Sequence, residues 1–70
     1  MNIENITPGM RVAYVPRHHE KSSNHPDSEH GTVAYTNLGY VFVRFDEQVK
    51  HLGGAALAQA CNPENLIKLP

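Results

Sequence analysis

The sequence lacks the features that several classes of protein need. It has a single cysteine, Cys61, so no disulfide can form within the chain, whereas a small secreted domain usually carries several. The longest stretch free of charge and histidine, Leu52 to Pro63, is much shorter than the roughly 20 apolar residues that span a bilayer. Residues 1–6 lack the basic and apolar regions of a signal peptide. We therefore expect a cytoplasmic protein with no membrane segment.

Neither sign of charge is in excess. The chain has six lysines and arginines and seven aspartates and glutamates, which gives a formal net charge of −1. A balance of this kind favours nucleic-acid binding only if the basic residues are sorted onto one face. The unusual feature is the presence of five histidines, whose protonation makes the net charge pH-dependent between about pH 5 and 7.

The length and composition predict one folded domain over residues 1–70. Seventy residues hold one core, and 40% apolar against 19% charged residues favours a folded chain over a disordered one. A first strand is predicted over Arg11 to Val15, where Met10, Val12 and Tyr14 alternate with other residues after the Pro8-Gly9 turn.

The strongest local pattern is a β-hairpin. Its arms are Thr32 to Thr36 and Tyr40 to Phe45, and Asn37-Leu38-Gly39 supplies a turn that tolerates positive φ. Alternation along the second arm places Val41, Val43 and Phe45 together, and we expect these three side chains to face the core.

The C-terminal third contains shorter and weaker signals. Residues 46–51 are polar and are predicted to turn the chain back. Residues 55–61 fit either a short helix or, as we prefer, a strand over Ala58 to Cys61. Asn62 is predicted to cap one helical turn over residues 63–65, before a closing strand over Leu66 to Leu69.

Between the first strand and the hairpin lies a long polar segment, predicted as a loop over residues 16–31. Its 16–30 portion has no apolar residue apart from prolines. Most connections in compact domains are about 4–6 residues long, so a loop of this length in a small chain is a candidate for function. A solvated excursion without a role is the alternative.

These segments together resemble an SH3-like small barrel. The Pro63-x-x-Leu66 turn before the last strand resembles the helical turn that introduces the final strand of that fold. The Pro8-Gly9-Met10-Arg11-Val12 and Gly31-Thr32-Val33 segments are similar to sequence patterns of KOW and Tudor-type barrels. The resemblance implies an all-β fold: a barrel of about five short strands, closed into one sheet, with one helical turn before the last strand. Pieces of the sequence are also similar to small uncharacterised phage and prophage proteins.

Metal binding and catalysis find limited support. Four histidines near one another can supply the roughly four ligands that zinc prefers, but the spacing fits no standard zinc pattern. We predict no metal site and no cofactor; the alternative is a His-rich metal-binding domain built on His18, His19, His25 and His30, with Asp27, Glu29 and Cys61 as supplementary ligands. Cys61 lies among small residues and is expected to be a buried packing thiol, and no nucleophile motif accompanies the serines, so we predict that the protein is not an enzyme.

Binding to another macromolecule remains the widest class of function. A rim of charged loop residues around a tyrosine patch favours a protein partner, and a homodimer would add burial that a small chain lacks. The alternative is a nucleic-acid-binding barrel that stacks bases on aromatic rings beside arginines. Its candidate rings and cations are Tyr14, Tyr35, Tyr40 and Phe42 with Arg11, Arg17 and Arg44. The predicted binding residues are Tyr14, Arg17, His25, Asp27, Glu29, Tyr35, Tyr40 and Arg44.

Overall fold

A computed structural model of the chain describes residues 2–15 and 29–70. These residues form one antiparallel sheet of five strands, with one short helix and three short 3₁₀ segments. The strands are β1 Arg11–Tyr14, β2 Glu29–Asn37, β3 Tyr40–Phe45, β4 Gln59–Cys61 and β5 Leu66–Lys68, and the helix is α1 Asp46–Leu52. The 3₁₀ segments are Ile3–Asn5, Gly53–Ala55 and Pro63–Asn65. The prediction of a mostly β domain with about five short strands is confirmed.

The sheet is open, which corrects the expectation of closure. Its strand order is β4-β3-β2-β1-β5, so the last strand lies beside the first and β4 occupies the opposite edge. Within the part of the chain that the structure describes, β4 pairs only with β3, and β5 pairs only with β1. A closed barrel would need the edge strands β4 and β5 to pair with each other. Both are only three residues long and have few backbone groups for such pairing, so the sheet stays open.

The hairpin forms as predicted. Asn37 pairs with Tyr40, and the two residues between them, Leu38 and Gly39, have φ angles of 52° and 82°. Positive φ at both positions is the geometry of a tight two-residue hairpin turn, whose twist matches that of the flanking strands. The first arm is longer than predicted, because β2 begins at Glu29 rather than Thr32 and pairs its first residues with β1.

The core covers one face of this sheet. Val41, Val43 and Phe45 are buried, as the alternation along β3 predicts. They pack in one cluster with residues from the other strands and from the N-terminal segment, namely Ile6, Val12, Val33, Cys61 and Leu66. Tyr14 packs against the edge of this cluster, with its ring perpendicular to that of Phe45 and the ring centroids 6.3 Å apart. No buried polar or charged residue occurs among the described residues.

The long strand β2 crosses β3 at unusually close range. A Cβ atom added to Gly31 would lie 2.6 Å from Val43 Cγ1 and 2.8 Å from the backbone oxygen of Arg44, so only glycine fits. The pairing with β3 then shifts between Val33 and Tyr35, which leaves Ala34 as a bulge. A glycine inside a strand and a bulge both bend a sheet sharply, and here they occur within four residues.

Residues 46–52 form a helix, where the sequence predicted a polar turn. Asp46 and Glu47 lie in the first turn of α1, and Lys50 and His51 lie in its last turn, an arrangement that favours the helix dipole. No residue of α1 is buried, so the apolar periodicity that identifies an amphipathic helix is absent. No helix in residues 2–15 or 29–70 is long and apolar enough to cross a membrane.

The closing segment agrees with the prediction. The Asn62 side chain accepts a hydrogen bond of 2.9 Å from the backbone N–H of Glu64, and this cap starts the 3₁₀ turn Pro63–Asn65. The backbone of Asn65 then accepts a 2.8 Å hydrogen bond from Val15, which holds the turn against the end of β1. The last strand, β5, is thereby directed along the free side of β1.

The contact at Gly31 can be tested by substitution. We expect Gly31→Ala to lower the free energy of unfolding by about 1–3 kcal/mol, because the added methyl group forces β2 and β3 apart. Denaturant titration followed by circular dichroism measures this change. Gly54→Ala is the matched control, since a Cβ at Gly54 meets nothing within 4 Å. Equal effects of the two substitutions would contradict the close approach.

Candidate functional site

The structure divides the predicted binding residues between two surfaces. Tyr35, Tyr40 and Arg44 lie on the β2–β3 hairpin, on the face opposite the core. Tyr14, the last residue of β1, pairs with Glu29, the first residue of β2, and both line a cavity there. The remaining three, Arg17, His25 and Asp27, lie outside the described residues.

The first surface, called the hairpin surface below, carries exposed aromatic and aliphatic side chains. Tyr35 stacks on Phe42, with ring centroids 4.5 Å apart and ring planes 13° from parallel. Tyr35 and Tyr40 remain about half exposed, and Leu38 is 88% exposed. Arg44 follows on the same face of β3. We define the hairpin surface as Tyr35, Leu38, Tyr40, Phe42 and Arg44.

The sheet register explains this grouping. Tyr35 is the direct partner of Phe42, and Phe42 is the direct partner of Ala60, so these three residues form a row across three strands. The bulge at Ala34 is what brings Tyr35 onto this face, because it shifts the alternation of β2 by one residue. Within the described part of the chain, the Arg44 side chain has no hydrogen-bond or ion-pair partner and is free to contact a ligand.

Leu38 is the member of this surface that the sequence reasoning missed. A leucine with a φ of 52° is in the left-handed region, which costs an ordinary L-residue roughly 1–2 kcal/mol. Asparagine or glycine is the usual choice at this position of a tight hairpin turn. A large apolar side chain in a strained conformation with almost no burial makes Leu38 a candidate functional residue, and a leucine before glycine in the Asn37-Leu38-Gly39 turn is the signal in the sequence that could have found it.

The second surface is a cavity along the free edge of β4, called the edge cavity below. It has a volume of about 220 Å³ and is lined by Tyr14, Glu29, Phe45, Gln59, Ala60 and Cys61. Side chains of consecutive strand residues point to opposite faces, so a cavity that all three β4 residues line runs along the edge of the strand. The edge cavity therefore occupies the gap between β4 and the ends of β1 and β2.

Cys61 lines the edge cavity with a buried thiol. Burial raises the pKa of its thiol, and the nearby carboxylate of Glu29 raises this pKa further. Its Sγ also lies 3.5 Å from the backbone oxygen of Gln59, as a weak donor. A thiol with a raised pKa is protonated at neutral pH and is a poor nucleophile. The prediction that Cys61 is buried is confirmed.

A wider cavity of about 380 Å³ adjoins the first and has an acidic lining. Glu29 and Phe45 line both cavities, and His30, Asp46 and Glu47 complete the second one. Two of its three carboxylates have side-chain partners: Arg11 pairs with Asp46, and His51 Nε2 lies 3.3 Å from Glu47 Oε1. The Glu29 side chain makes no hydrogen bond or ion pair within residues 2–15 and 29–70, and its carboxylate lies where the two cavities meet.

An ion pair joins the start of β1 to the start of α1. The Arg11 guanidinium donates to both carboxylate oxygens of Asp46, at 2.7 and 2.5 Å, and also donates to Thr32 Oγ1 at 2.9 Å. The hydrogen bond from Arg11 lowers the pKa of the Asp46 carboxyl, and burial opposes this only in part. Both side chains are about half exposed, so the pair contributes modestly to stability.

No group of three or more potential metal ligands occurs in the described parts of the chain. Of the four histidines considered for zinc, only His30 is described, and it lies in β2 beside Ala13. The other three, His18, His19 and His25, are outside the described residues. The chain matches no protein-family model, no curated protein and no solved structure. The two surfaces are therefore interpreted from their own chemistry.

The Arg11–Asp46 pair makes stability depend on pH. The pKa of Asp46 is lower in the folded than in the unfolded protein, so its contribution is present above about pH 4 and is lost as the pH falls through the folded value. We expect Asp46→Asn to reduce the free energy of unfolding by about 0.5–1 kcal/mol at pH 7 and by much less at pH 2. Urea titrations at the two pH values measure this, with Glu64→Gln as the control. An equal loss at both pH values would show that charge pairing is not the cause.

Proposed function

We propose that the protein is a non-enzymatic binding module that contacts another protein through its hairpin surface. The observation that carries this proposal is the exposed, strained Leu38 at the tip of the two-residue hairpin turn, on a surface that also holds Tyr35 and Tyr40. Folding alone does not account for this residue, since it buries almost none of its side chain. A partner that covers Leu38 would recover its apolar burial, at roughly 25 cal/mol for each Å² removed from water.

The composition of the hairpin surface fits a protein partner. Tyrosine and arginine are enriched in the residues that dominate protein interfaces, where a rigid ring offers a large contact area at a low entropy cost. The hairpin turn is short and the ring pair Tyr35–Phe42 is already stacked, so the surface is preorganised before binding. An exposed leucine adds to this surface a side chain that neither phosphate nor sugar recognises.

Our proposal includes an SH3-like type of fold. The strand order, with β5 beside β1, and the 3₁₀ turn Pro63–Asn65 directly before β5 support it. The open sheet and the helix α1 between β3 and β4 are departures from the resemblance. A similarity to small phage and prophage proteins suggests a partner in a bacterial cell, and a modulator of a host protein is the form of binding module that we favour.

Nucleic-acid binding is the second candidate, and one observation favours it. Tyr35, Phe42 and Arg44 place two rings and a cation that has no partner in the described part of the chain on the same face, which is the combination that binds single strands by stacking and phosphate contact. The second described arginine near this surface, Arg11, is already paired with Asp46. One available arginine among residues 2–15 and 29–70 supplies little counterion release, so the protein partner is preferred.

A photo-cross-linking experiment tests the proposal. A benzophenone amino acid replaces Tyr40 on the hairpin surface, and in a control protein it replaces Lys50, an exposed residue of α1. We expect irradiation in cells that express the protein to give a discrete protein adduct from position 40 at about tenfold the yield from position 50. A nuclease-sensitive adduct would support the nucleic-acid alternative instead. Equal labelling from both positions would contradict a hairpin binding surface.

Leu38→Asn separates binding from stability in the same assay. Asparagine adopts the left-handed conformation readily, so we expect the free energy of unfolding of this variant to be about 0.5–1 kcal/mol higher than that of the parent. Its adduct yield should nevertheless fall about fivefold or more, because the apolar contact is lost. A variant that is more stable and still cross-links at the parental level would show that Leu38 takes no part in binding.

A further inference from the structure

The two edges of the sheet differ in how well they are protected against pairing with another strand. The β5 edge carries Lys68 and is followed by Pro70, and both residue types discourage the addition of a strand. The β4 edge lies within the uncharged stretch from Leu52 to Pro63, and its three residues include neither a charge nor a proline. Leu57, two residues before β4, is 78% exposed.

The backbone of β4 has hydrogen-bonding capacity directed away from the sheet. In an antiparallel pair, the N–H and C=O groups of successive residues alternate between the two sides of a strand. Asn37 and Tyr40 flank the two-residue turn and form a hydrogen-bonded pair, and counting from them pairs Gln59 and Cys61 with β3. The N–H and C=O of Ala60 therefore point to the free edge, into the edge cavity.

The walls of the edge cavity define which side chain a strand added there would present. Tyr14 and Phe45, whose rings are perpendicular, both line the cavity, and Glu29 lines it with a carboxylate that has no hydrogen-bond or ion-pair partner among the described residues. A lysine or arginine satisfies both features, since its aliphatic stem packs on the rings while its cation meets the carboxylate. Asp46 and Glu47 in the adjoining cavity extend the negative potential.

We infer that the free edge of β4 and the edge cavity bind an extended, cationic peptide segment of a partner protein by strand addition. The backbone of the peptide pairs with Ala60, and one lysine or arginine of the peptide points toward Glu29. The peptide residues two positions before and after this cation point to the same face of the added strand. The edge cavity shares no residue with the hairpin surface. The inference therefore stands or falls independently of the proposed function.

Selection from a displayed library of random heptapeptides, with the full chain as bait, tests this inference. We expect the recovered peptides to share a lysine or arginine flanked by β-branched or aromatic residues. Their binding should shift the NMR amide signals of Gln59, Ala60 and Glu29 and leave those of Leu38 and Tyr40 unchanged. Recovery of no peptide, of acidic peptides, or of peptides that shift only the hairpin signals would overturn the inference.

Two sets of variants make the mechanism specific. N-methylation of alternate amides of the peptide should weaken binding about tenfold or more in one set and leave it nearly unchanged in the other, because only one set faces Ala60. Glu29→Gln should weaken binding about fivefold, whereas Glu4→Gln, an exposed glutamate of the N-terminal 3₁₀ segment, should not. Equal effects of the two N-methylated sets would exclude strand addition, and equal effects of the two glutamine variants would exclude the charge contact.

Discussion

The close approach of β2 to β3 at Gly31 is the constraint on which the rest of the structure depends. Because a Cβ atom would collide with Val43 and with the backbone of Arg44, the two strands meet at a distance that only glycine permits. The bulge at Ala34 follows three residues later, so the longest strand of the sheet bends twice. The bend carries β4 toward the ends of β1 and β2, where it lines a common cavity with Tyr14 and Glu29 without pairing to either strand.

The same geometry produces both candidate surfaces. On the core side, the incomplete approach of β4 leaves a cavity next to an unpaired strand edge. On the opposite side, the one-residue shift at the bulge turns Tyr35 outward onto Phe42 and creates an aromatic row that ends at Ala60. A chain of 70 residues has enough apolar side chains to cover one face of its sheet, and the other face keeps the exposed rings. The exposed rings are thus a consequence of how little this small core can cover.

Local signals were sufficient to predict most of the strands. The alternation along β3, the Asn37-Leu38-Gly39 turn and the Asn62-Pro63 cap each act over a few residues, and the corresponding elements are confirmed. The helix α1 was missed because its apolar residues, Val49 and Leu52, are exposed. They therefore do not form the regularly spaced apolar stripe by which a helix packed on a core is predicted. The beginning of β2 was missed because Glu29 and His30 are polar and enter the sheet by pairing with Tyr14 and Ala13. The separation of Tyr14 and Glu29 from Tyr35, Tyr40 and Arg44 depends on the fold of the whole sheet, which no local pattern encodes.

The most direct test is amide hydrogen exchange at the β4 edge, measured residue by residue by NMR on the isolated protein. An open sheet with an available edge predicts that the amide of Ala60 exchanges about tenfold or more faster than those of Gln59 and Cys61, which are paired with β3. If the amide of Ala60 is protected as strongly as its two neighbours, the edge is already occupied within the molecule, and the description of an open sheet that offers β4 to a partner is wrong.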